Sequence, residues 1–397
     1  MLEIDNDLRS TLETRRGLPG RFFTDEQIFA EERVRIFENT WWCVGLSADA
    51  LAPRDVCAVN HFGMPLLFAR DATRLRVFHN VCSHRGSVLV DGSRRGQARI
   101  VCPYHAWTYN LRGELARTPH VAGAGRHECA LFERSTLSLR EIRSAEWANH
   151  VFIDLRGTAP PFDEWIAPVA ARLANVDWSH MRRDTDLAQQ VEVAANWKIV
   201  AENFVESYHL PSVHRRLNAV NPMEGHYQIL GGDSYLGQGS VAYEGDRATG
   251  AALPIFPGWS KIDRYEALYI FPNLILTPLA NMAFSILIRP ESASRTRERL
   301  EFFFAGDEAM IEERAAARRA AAGFITDVNA EDIHIVERVQ RGRMSPAFEG
   351  GQFSDAQEAT SRHLQHLIAA RMLAAQGQAP HELISLPVRD IHYRTDT

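Results

Sequence analysis

Apolar and polar positions divide this chain into three stretches of different rhythm. Residues 1 to about 40 open on an acidic lead, Met1-Leu-Glu-Ile-Asp-Asn-Asp, and then take on helical spacing, with Thr24-Asp-Glu-Gln as an N-terminal cap. From Trp41 to about Leu155 the apolar runs shorten and are broken by turns. Pro65-Leu-Leu-Phe-Ala, Leu75-Arg-Val-Phe-His and Asn149-His-Val-Phe-Ile-Asp read as strands, and Leu111-Arg-Gly-Glu as a hairpin turn. A small all-β module is expected here, closed by the proline-rich Thr158-Ala-Pro-Pro-Phe. Beyond it, helices and strands mix. Trp197 to Leu210 predicts a helix ended by Pro211, and residues 265–305 predict antiparallel strands, including Ala283-Phe-Ser-Ile-Leu-Ile and Leu300-Glu-Phe-Phe-Phe. Residues 307–341 and 354–376 predict helices.

Composition narrows the class without naming a chemistry. At 397 residues the chain can bury two cores, and 45% hydrophobic with 24% charged residues is ordinary for a soluble enzyme. There is no run of 18 apolar residues to span a membrane, no internal repeat and no low-complexity segment. The acidic start lacks the apolar core of a signal peptide, and Cys43, Cys57 and Cys129 are scattered singles; a reduced, cytoplasmic protein is expected. A net charge of −6 argues against general nucleic-acid binding.

The remaining two cysteines carry the chemistry. Cys82-Ser-His84 and Cys102-Pro-Tyr-His105 are a Cys-x-His and a Cys-x-x-His pair separated by residues 85–101. Two thiolates and two imidazoles are what a Rieske [2Fe–2S] cluster needs, with Cys₂ on one iron and His₂ on the other. A Cys₂His₂ zinc site takes the same donors, but zinc fingers usually run Cys-Cys then His-His. Gly86 and Pro103 suit sharply turning loops, and Tyr104 and Trp107 put aromatic bulk beside the ligands, where it limits water. The surrounding stretch is basic: Arg85, Arg94, Arg95, Arg99, Arg112 and Arg117 face only Asp91 and Glu114. That reads either as a collar steering an acidic electron donor or as a solvated loop surface.

A second donor set lies in the later half. Glu206 and His209 stand three apart, on one face if helical, and His214 follows just past Pro211. Two imidazoles and one carboxylate describe the facial triad of non-haem Fe(II) oxygenases. Helical phase supplies the carboxylate: around Ile325, Val328, Ile335, Val336 and Val339, Asp332 falls inside the apolar stripe, Glu331 at its edge and His334 opposite. A buried aspartate needs a partner, which a metal or an arginine can provide.

Taken together, these motifs make the chain resemble the α subunits of Rieske non-haem iron oxygenases, the ring-hydroxylating dioxygenase superfamily. The resemblance runs from about Leu18 through the segment holding Asp332. It rests on the cluster pairs, Asn196-Trp-Lys, Glu202-Asn-Phe, the Glu206/His209/His214 spacing, and Glu331-Asp332 leading to Gln340-Arg-Gly. It implies an α+β fold: an all-β Rieske domain over 41–157, and a catalytic domain from 1–40 and 158–397 with an antiparallel sheet covered by helices, of helix-grip type. It implies that Cys82, His84, Cys102 and His105 hold the cluster, that His209, His214 and Asp332 hold mononuclear Fe(II), and that Asn203 belongs to the catalytic set. The residue bridging cluster and iron across a subunit boundary is usually aspartate in this family; here it is Glu206. That departure resembles the branch acting on quaternary ammonium compounds such as carnitine and glycine betaine, as do Leu253-Pro-Ile-Phe-Pro-Gly-Trp-Ser and Tyr269-Ile-Phe-Pro-Asn. Ser207 stands where that branch often has cysteine.

By the same resemblance the protein is a homotrimer packed head to tail, using O₂ and electrons from NAD(P)H through a separate flavin- or ferredoxin-type reductase. Neither a glycine-rich dinucleotide fingerprint nor a ferredoxin-type Cys₄ run occurs in the chain. Phe204, Tyr208, Tyr269, Phe271 and Phe284 are candidates to line the substrate pocket, where aromatic faces would hold a quaternary ammonium or equally an arene. The competing readings are a ring-hydroxylating oxygenase, a non-catalytic Rieske electron carrier and a zinc hydrolase. An intact His209/His214/Asp332 set favours catalysis.

Overall fold

The computed structural model describes residues 2–50, 52–130, 132–244, 253–259, 263–374 and 382–392. They form two compact units, Glu38–Ala159 and Met1–Phe37 with Pro160–Thr397. The division falls inside the proline-rich segment, within a few residues of the expected 41–157 boundary.

The smaller unit is all β. A seven-stranded antiparallel sheet runs in the order Trp42–Leu46, His150–Asp154, Glu141–Trp147, Leu75–His79, Met64–Arg70, Val56–His61, Ser93–Arg94. A three-stranded sheet of Ile100–Val101, Thr108–Tyr109 and Leu115–Arg117 carries the second Cys/His pair on its first connection. The turn between its last two strands needs Gly113 at φ +82°, where a side chain would also strike Phe78. Alternating apolar positions such as Val56, Leu67, Ala69 and Phe78 point inward and join Cys82, Cys102, Trp107 and Tyr109 in one core.

The larger unit is built on a nine-stranded antiparallel sheet. Its order is Met181–Arg183, Arg295–Ala305, Met282–Ser292, Leu274–Pro278, Asp263–Ile270, Tyr235–Tyr243, His226–Gly231, Val388–His392, with Gln189–Val193 also paired to Arg295–Ala305. Helices cover it, chiefly Trp197–Phe204, Ala315–Arg343 and Ala359–Leu373. None is long and apolar enough to cross a membrane among the described residues.

Several boundaries differ from the sequence reading. The acidic lead is itself helical, Leu2–Glu13, because buried Leu8 and Thr11 give it a face against Ala359–Leu373. The next cap is Asp25 rather than Thr24: its carboxylate accepts from the Gln27 N–H at 2.7 Å and the Ile28 N–H at 3.4 Å. Residues 307–341 split into Gly306–Ala309, a 3₁₀ turn at Glu312–Arg314 and the 29-residue helix Ala315–Arg343. Helix 354–376 is Ala359–Leu373; its expected last two residues, like Ser260 of the Leu253 segment, lie outside the described residues.

The most consequential difference is that the helix from Trp197 stops at Phe204, not Leu210. Its last carbonyls turn to a side chain: Gln238 Nε2 donates to Phe204 O at 2.9 Å and to Glu206 O at 3.2 Å. Pro211 then sits in the first turn of a new short helix, Leu210–Val213, where a missing N–H costs nothing.

That two-turn helix is anchored by buried charge. Lys198, one of only two lysines in the chain, is fully buried with its Nζ 2.6 Å from Glu32 Oε1, and Trp197 Nε1 donates to Glu32 Oε2 at 2.8 Å. Burial pushes the Lys198 ammonium below its ordinary value, and Glu32 opposes the shift. Glu202 accepts from Arg343 Nη2 and Gln365 Nε2, both at 2.6 Å. Asn196 caps the helix start, accepting from the Lys198 N–H at 3.0 Å and donating to Ala293 O at 2.7 Å. Lys198→Met leaves the Glu32 carboxylate buried without its cation and should destabilise the protein by about 3–5 kcal/mol, whereas Lys198→Met with Glu32→Leu should recover most of that loss. Denaturant midpoints of the two variants check this; equal losses in both would mean that packing, not charge, sets the cost.

Candidate functional site

The Cys82 and Cys102 loops repeat one backbone pattern. The Gly86 N–H donates to Cys82 O at 3.0 Å and the Ala106 N–H to Cys102 O at 3.1 Å. The Cys82 N–H donates to Ser87 O and the Cys102 N–H to Trp107 O, both at 2.8 Å. Each turn needs a left-handed residue, Gly86 at φ +73° and, against steric preference, Ala106 at φ +56°. The result is two matching turns that bring the His84 and His105 rings to 4.7 Å between centroids.

These residues fit a positively charged iron–sulfur group. Both cysteines are free and buried, and Cys82 Sγ lies 3.2 Å from Tyr109 OH. Burial pushes the Cys82 thiol above its ordinary value, against hydrogen bonds from Tyr109 and the His84 N–H, and Cys102 adds to the rise. His84 is lowered by burial, then by His105 and Arg85. His105 Nδ1 is buried with no hydrogen-bond partner among the described residues, which leaves its lone pair available to a metal. Trp107 stacks on His84 at 4.5 Å and is buried, as expected of a water-limiting aromatic. Tyr104 packs on His105 but is 57% exposed, so it shields the site less than its sequence position implied.

In the larger unit, the ligand atoms of His209, His214 and Asp332 all lie within 4.8 Å of one another. Asp332 Oδ1 is 2.8 Å from His214 Nε2 and 3.5 Å from His209 Nε2, and accepts from Asn203 Nδ2 at 2.6 Å. Each imidazole has a carboxylate on its other nitrogen: Glu206 Oε1 on His209 Nδ1, and Glu331 Oε2 on His214 Nδ1 at 2.6 Å. That arrangement fixes which nitrogen faces the common centre and makes it more basic. Burial disfavours the His209 imidazolium, but hydrogen bonds to Asp332 and Glu206 outweigh it and hold the group up at about 10. His214 is raised likewise, burial opposing and Asp332 prevailing. Burial favours neutral Asp332, yet hydrogen bonds from His209 and His214 bring it down to about 2. A partly buried carboxylate, 23% exposed and flanked by two imidazoles, calls for a cation, which a divalent ion held by the two histidines and Asp332 would supply.

Helical phase placed Asp332 correctly among Ile325 and Val328, which line the same cavity. Two expectations change. Glu206 is not on a helix with His209 but in the turn after Phe204, where its carboxylate also accepts from the Tyr208 and His209 N–H groups. Glu331, expected to point partly away, reaches His214 from the flank of its helix.

The cavity beside Asp332 has an internal volume of about 110 Å³. Of the five aromatic candidates, Phe204 and Phe284 line it. Tyr208 is 54% exposed in the loop, and Tyr269 and Phe271 are buried away from the cavity, Tyr269 donating its hydroxyl to Pro272 O. Tyr243, Tyr265 and Phe324 line it instead, the two tyrosines in edge contact at 5.2 Å. Strand alternation from Ala267 would have indicated Tyr265, and the Ile325/Val328 stripe lies next to Phe324.

Two protein-family models match the chain, one over each unit. The Rieske [2Fe-2S] domain family matches residues 40–132, and the ring hydroxylating alpha subunit catalytic domain family matches 177–374. The carnitine monooxygenase oxygenase subunit of Escherichia coli (strain K12) is 26% identical over 344 residues, 84% of this chain and 86% of that protein. The glycine betaine monooxygenase oxygenase subunit of Chromohalobacter salexigens is 32% identical over 204 residues, 51% of this chain and 44% of that protein. A solved quaternary ammonium Rieske monooxygenase shares the fold, with TM-score 0.77 at 23% identity over 91% of this chain and 98% of that one.

The geometry separates two carboxylates that are neighbours in sequence. Asp332→Ala should abolish iron at this centre while leaving the cluster's spectrum unchanged. Glu331→Ala should lower iron affinity by about 10–100-fold without abolishing it, since it acts only through His214. Metal content after dialysis against a graded chelator checks both, and the reverse order would exchange the two roles.

Proposed function

The chain belongs to the Rieske non-haem iron oxygenase α-subunit family, and from that premise we propose that it hydroxylates a small quaternary or tertiary amine next to nitrogen. Loss of a methyl group as formaldehyde, or carbon–nitrogen cleavage, follows from such a hydroxylation. The observation that carries the reading is the gathering of His209, His214 and Asp332 beside an aromatic-walled cavity. Relatives named for carnitine and glycine betaine support the substrate class. The same wall suits an arene, which is the second reading; an electron carrier without catalysis would have no use for the triad.

When bound, the cluster would supply single electrons and the ferrous iron dioxygen chemistry; the chain's own residues hold, orient and exclude. Cys82 and Cys102 would hold one iron of the cluster, and His84 and His105 the other. His209, His214 and Asp332 would hold the mononuclear iron, with Asn203 steadying Asp332. Phe204, Tyr243, Tyr265, Phe284 and Phe324 keep water from the reacting carbon and offer faces to a cation. Glu206 would join His209 to the His105 of a neighbouring copy in a cytoplasmic head-to-tail homotrimer, a heterologous interface that closes.

Electrons come from a separate reductase of flavin or ferredoxin type, fed by NAD(P)H. The Glu38–Ala159 unit has 15 arginines, no lysine and 11 acids, hence +4, leaving −10 for the rest of the −6 chain. Arg85, Arg94, Arg95, Arg99, Arg112 and Arg117 are exposed, and none has an ion-pair partner among the described residues. Elsewhere in that unit Arg70, Arg74, Arg76, Arg134, Arg143 and Arg156 are paired, and Arg54, Arg126 and Arg140 have no ion-pair partner among the described residues. Six unpaired, exposed arginines between Arg85 and Arg117, against Asp91 and Glu114 alone, support the steering reading over a merely solvated surface.

Two measurements test this account. Glu206→Ala should keep both metals yet slow substrate-dependent cluster oxidation in a single turnover by about 10–100-fold, as expected for a residue that orients a ligand; loss of iron would make it a ligand instead. Arg94→Glu with Arg95→Glu should cut the reductase-dependent rate by about tenfold at low salt and flatten its salt dependence. An unchanged salt profile would return the collar to ordinary surface.

A further inference from the structure

Two buried polar atoms in the cavity wall have no hydrogen-bond partner among the described residues. Gln238 Oε1 and Thr277 Oγ1 are both buried and unbonded, and both residues line the cavity. Thr277 is only 2% exposed. The Gln238 amide cannot simply be reversed, because its Nε2 already donates to Phe204 O and Glu206 O. Its oxygen is therefore a fixed, free acceptor. The Tyr265 hydroxyl is not free in this way, since it accepts from Asn221 Nδ2 at 2.7 Å.

Sheet register puts the two orphans in one row. Gln238 pairs with Ala267, and Thr277 with Phe284; Leu268 pairs with Leu276, which sets Ala267 beside Thr277. All four residues line the cavity. Two strand spacings separate Gln238 from Thr277, about 10 Å between Cα atoms. Ala267 between them is the smallest wall residue, so the row is a slot with an acceptor at one side and a hydroxyl at the other. An acceptor repels a carboxylate and satisfies a hydroxyl. Three carboxylates stand around the imidazoles beside the cavity, Asp332, Glu206 and Glu331, while the Arg216 guanidinium lies outside it, 4.8 Å from the ring of Phe324.

We propose that Gln238 and Thr277, on either side of Ala267, select an amine whose tail carries a hydroxyl over one ending in a carboxylate or an ether. The hydroxyl donates to Gln238 Oε1 and accepts from Thr277 Oγ1–H, completing both. This rests on the quaternary-ammonium reading above and adds the chemistry of the tail.

The test is calorimetric binding to the metal-loaded trimer or monomer as isolated, using choline, its O-methyl ether, glycine betaine and tetramethylammonium. Choline is expected to bind about tenfold more tightly than its ether or betaine, as one satisfied buried hydrogen bond gives. Thr277→Val should shrink that preference severalfold, and Thr277→Ser should restore it. Ala267→Leu, filling the slot, should weaken choline about tenfold while sparing tetramethylammonium, which has no tail; iron content confirms the fold of each variant. Betaine or the ether binding as well as choline, with tetramethylammonium still bound, overturns the slot but not the amine reading. Failure of every quaternary ammonium probe to bind while naphthalene does overturns the amine reading and the slot with it.

Discussion

The ion pair of Lys198 with Glu32 constrains everything built around the iron centre. Both side chains are inaccessible to water, a costly arrangement unless geometry and further hydrogen bonds compensate. Compensation comes from Trp197 on the second Glu32 oxygen, and from Glu202 held by Arg343 and Gln365 a turn and a half away. A helix of eight residues has little stability of its own. Fixed at both ends, it delivers Asn203 to Asp332 and starts the turn that holds Glu206.

At the centre itself, charge is arranged in two layers. Asp332 faces both imidazoles, while Glu206 and Glu331 stand behind them on the opposite nitrogens. Three carboxylates around two histidines form a site that is electrostatically incomplete without cations. Protons on the imidazoles fill that need when no metal is bound, and metal binding must displace them. Asn203 relieves part of the charge on Asp332 by hydrogen bonding, and as an amide donor to the carboxylate it would not itself be a ligand to a bound metal.

What was legible in the sequence follows from how local each feature is. The cluster donors lie within two short loops, so spacing alone exposed them. Asp332 was legible because a 29-residue helix keeps its phase, and a polar residue inside an apolar stripe stands out. The break after Phe204 was not legible, since the amide that caps its carbonyls comes from Gln238 on a distant strand. Glu331 escaped for a similar reason: its partner His214 is 117 residues away. The cavity wall was the least legible part. Tyr269 shares strand parity with Tyr265 and Ala267 yet lies too far along the strand to reach the cavity, a matter of sheet register that composition cannot carry.

Glu206 shows how one side chain can serve two tasks through its length. An extra methylene beyond aspartate invites the idea of a wider gap to be spanned, yet the chain here does not extend. It folds back so that one oxygen accepts from the Tyr208 and His209 N–H groups while the other meets His209 Nδ1. Both interactions close small rings within its own turn, and the carboxylate thereby satisfies N–H groups in the stretch between the helix that ended at Phe204 and the one that begins at Leu210. The same residue thus orders the backbone of the His209 turn and sets the imidazole's tautomer. Its length fits the span from its own Cα to its own backbone, so glutamate at this position is explained inside one subunit, before any neighbour is considered.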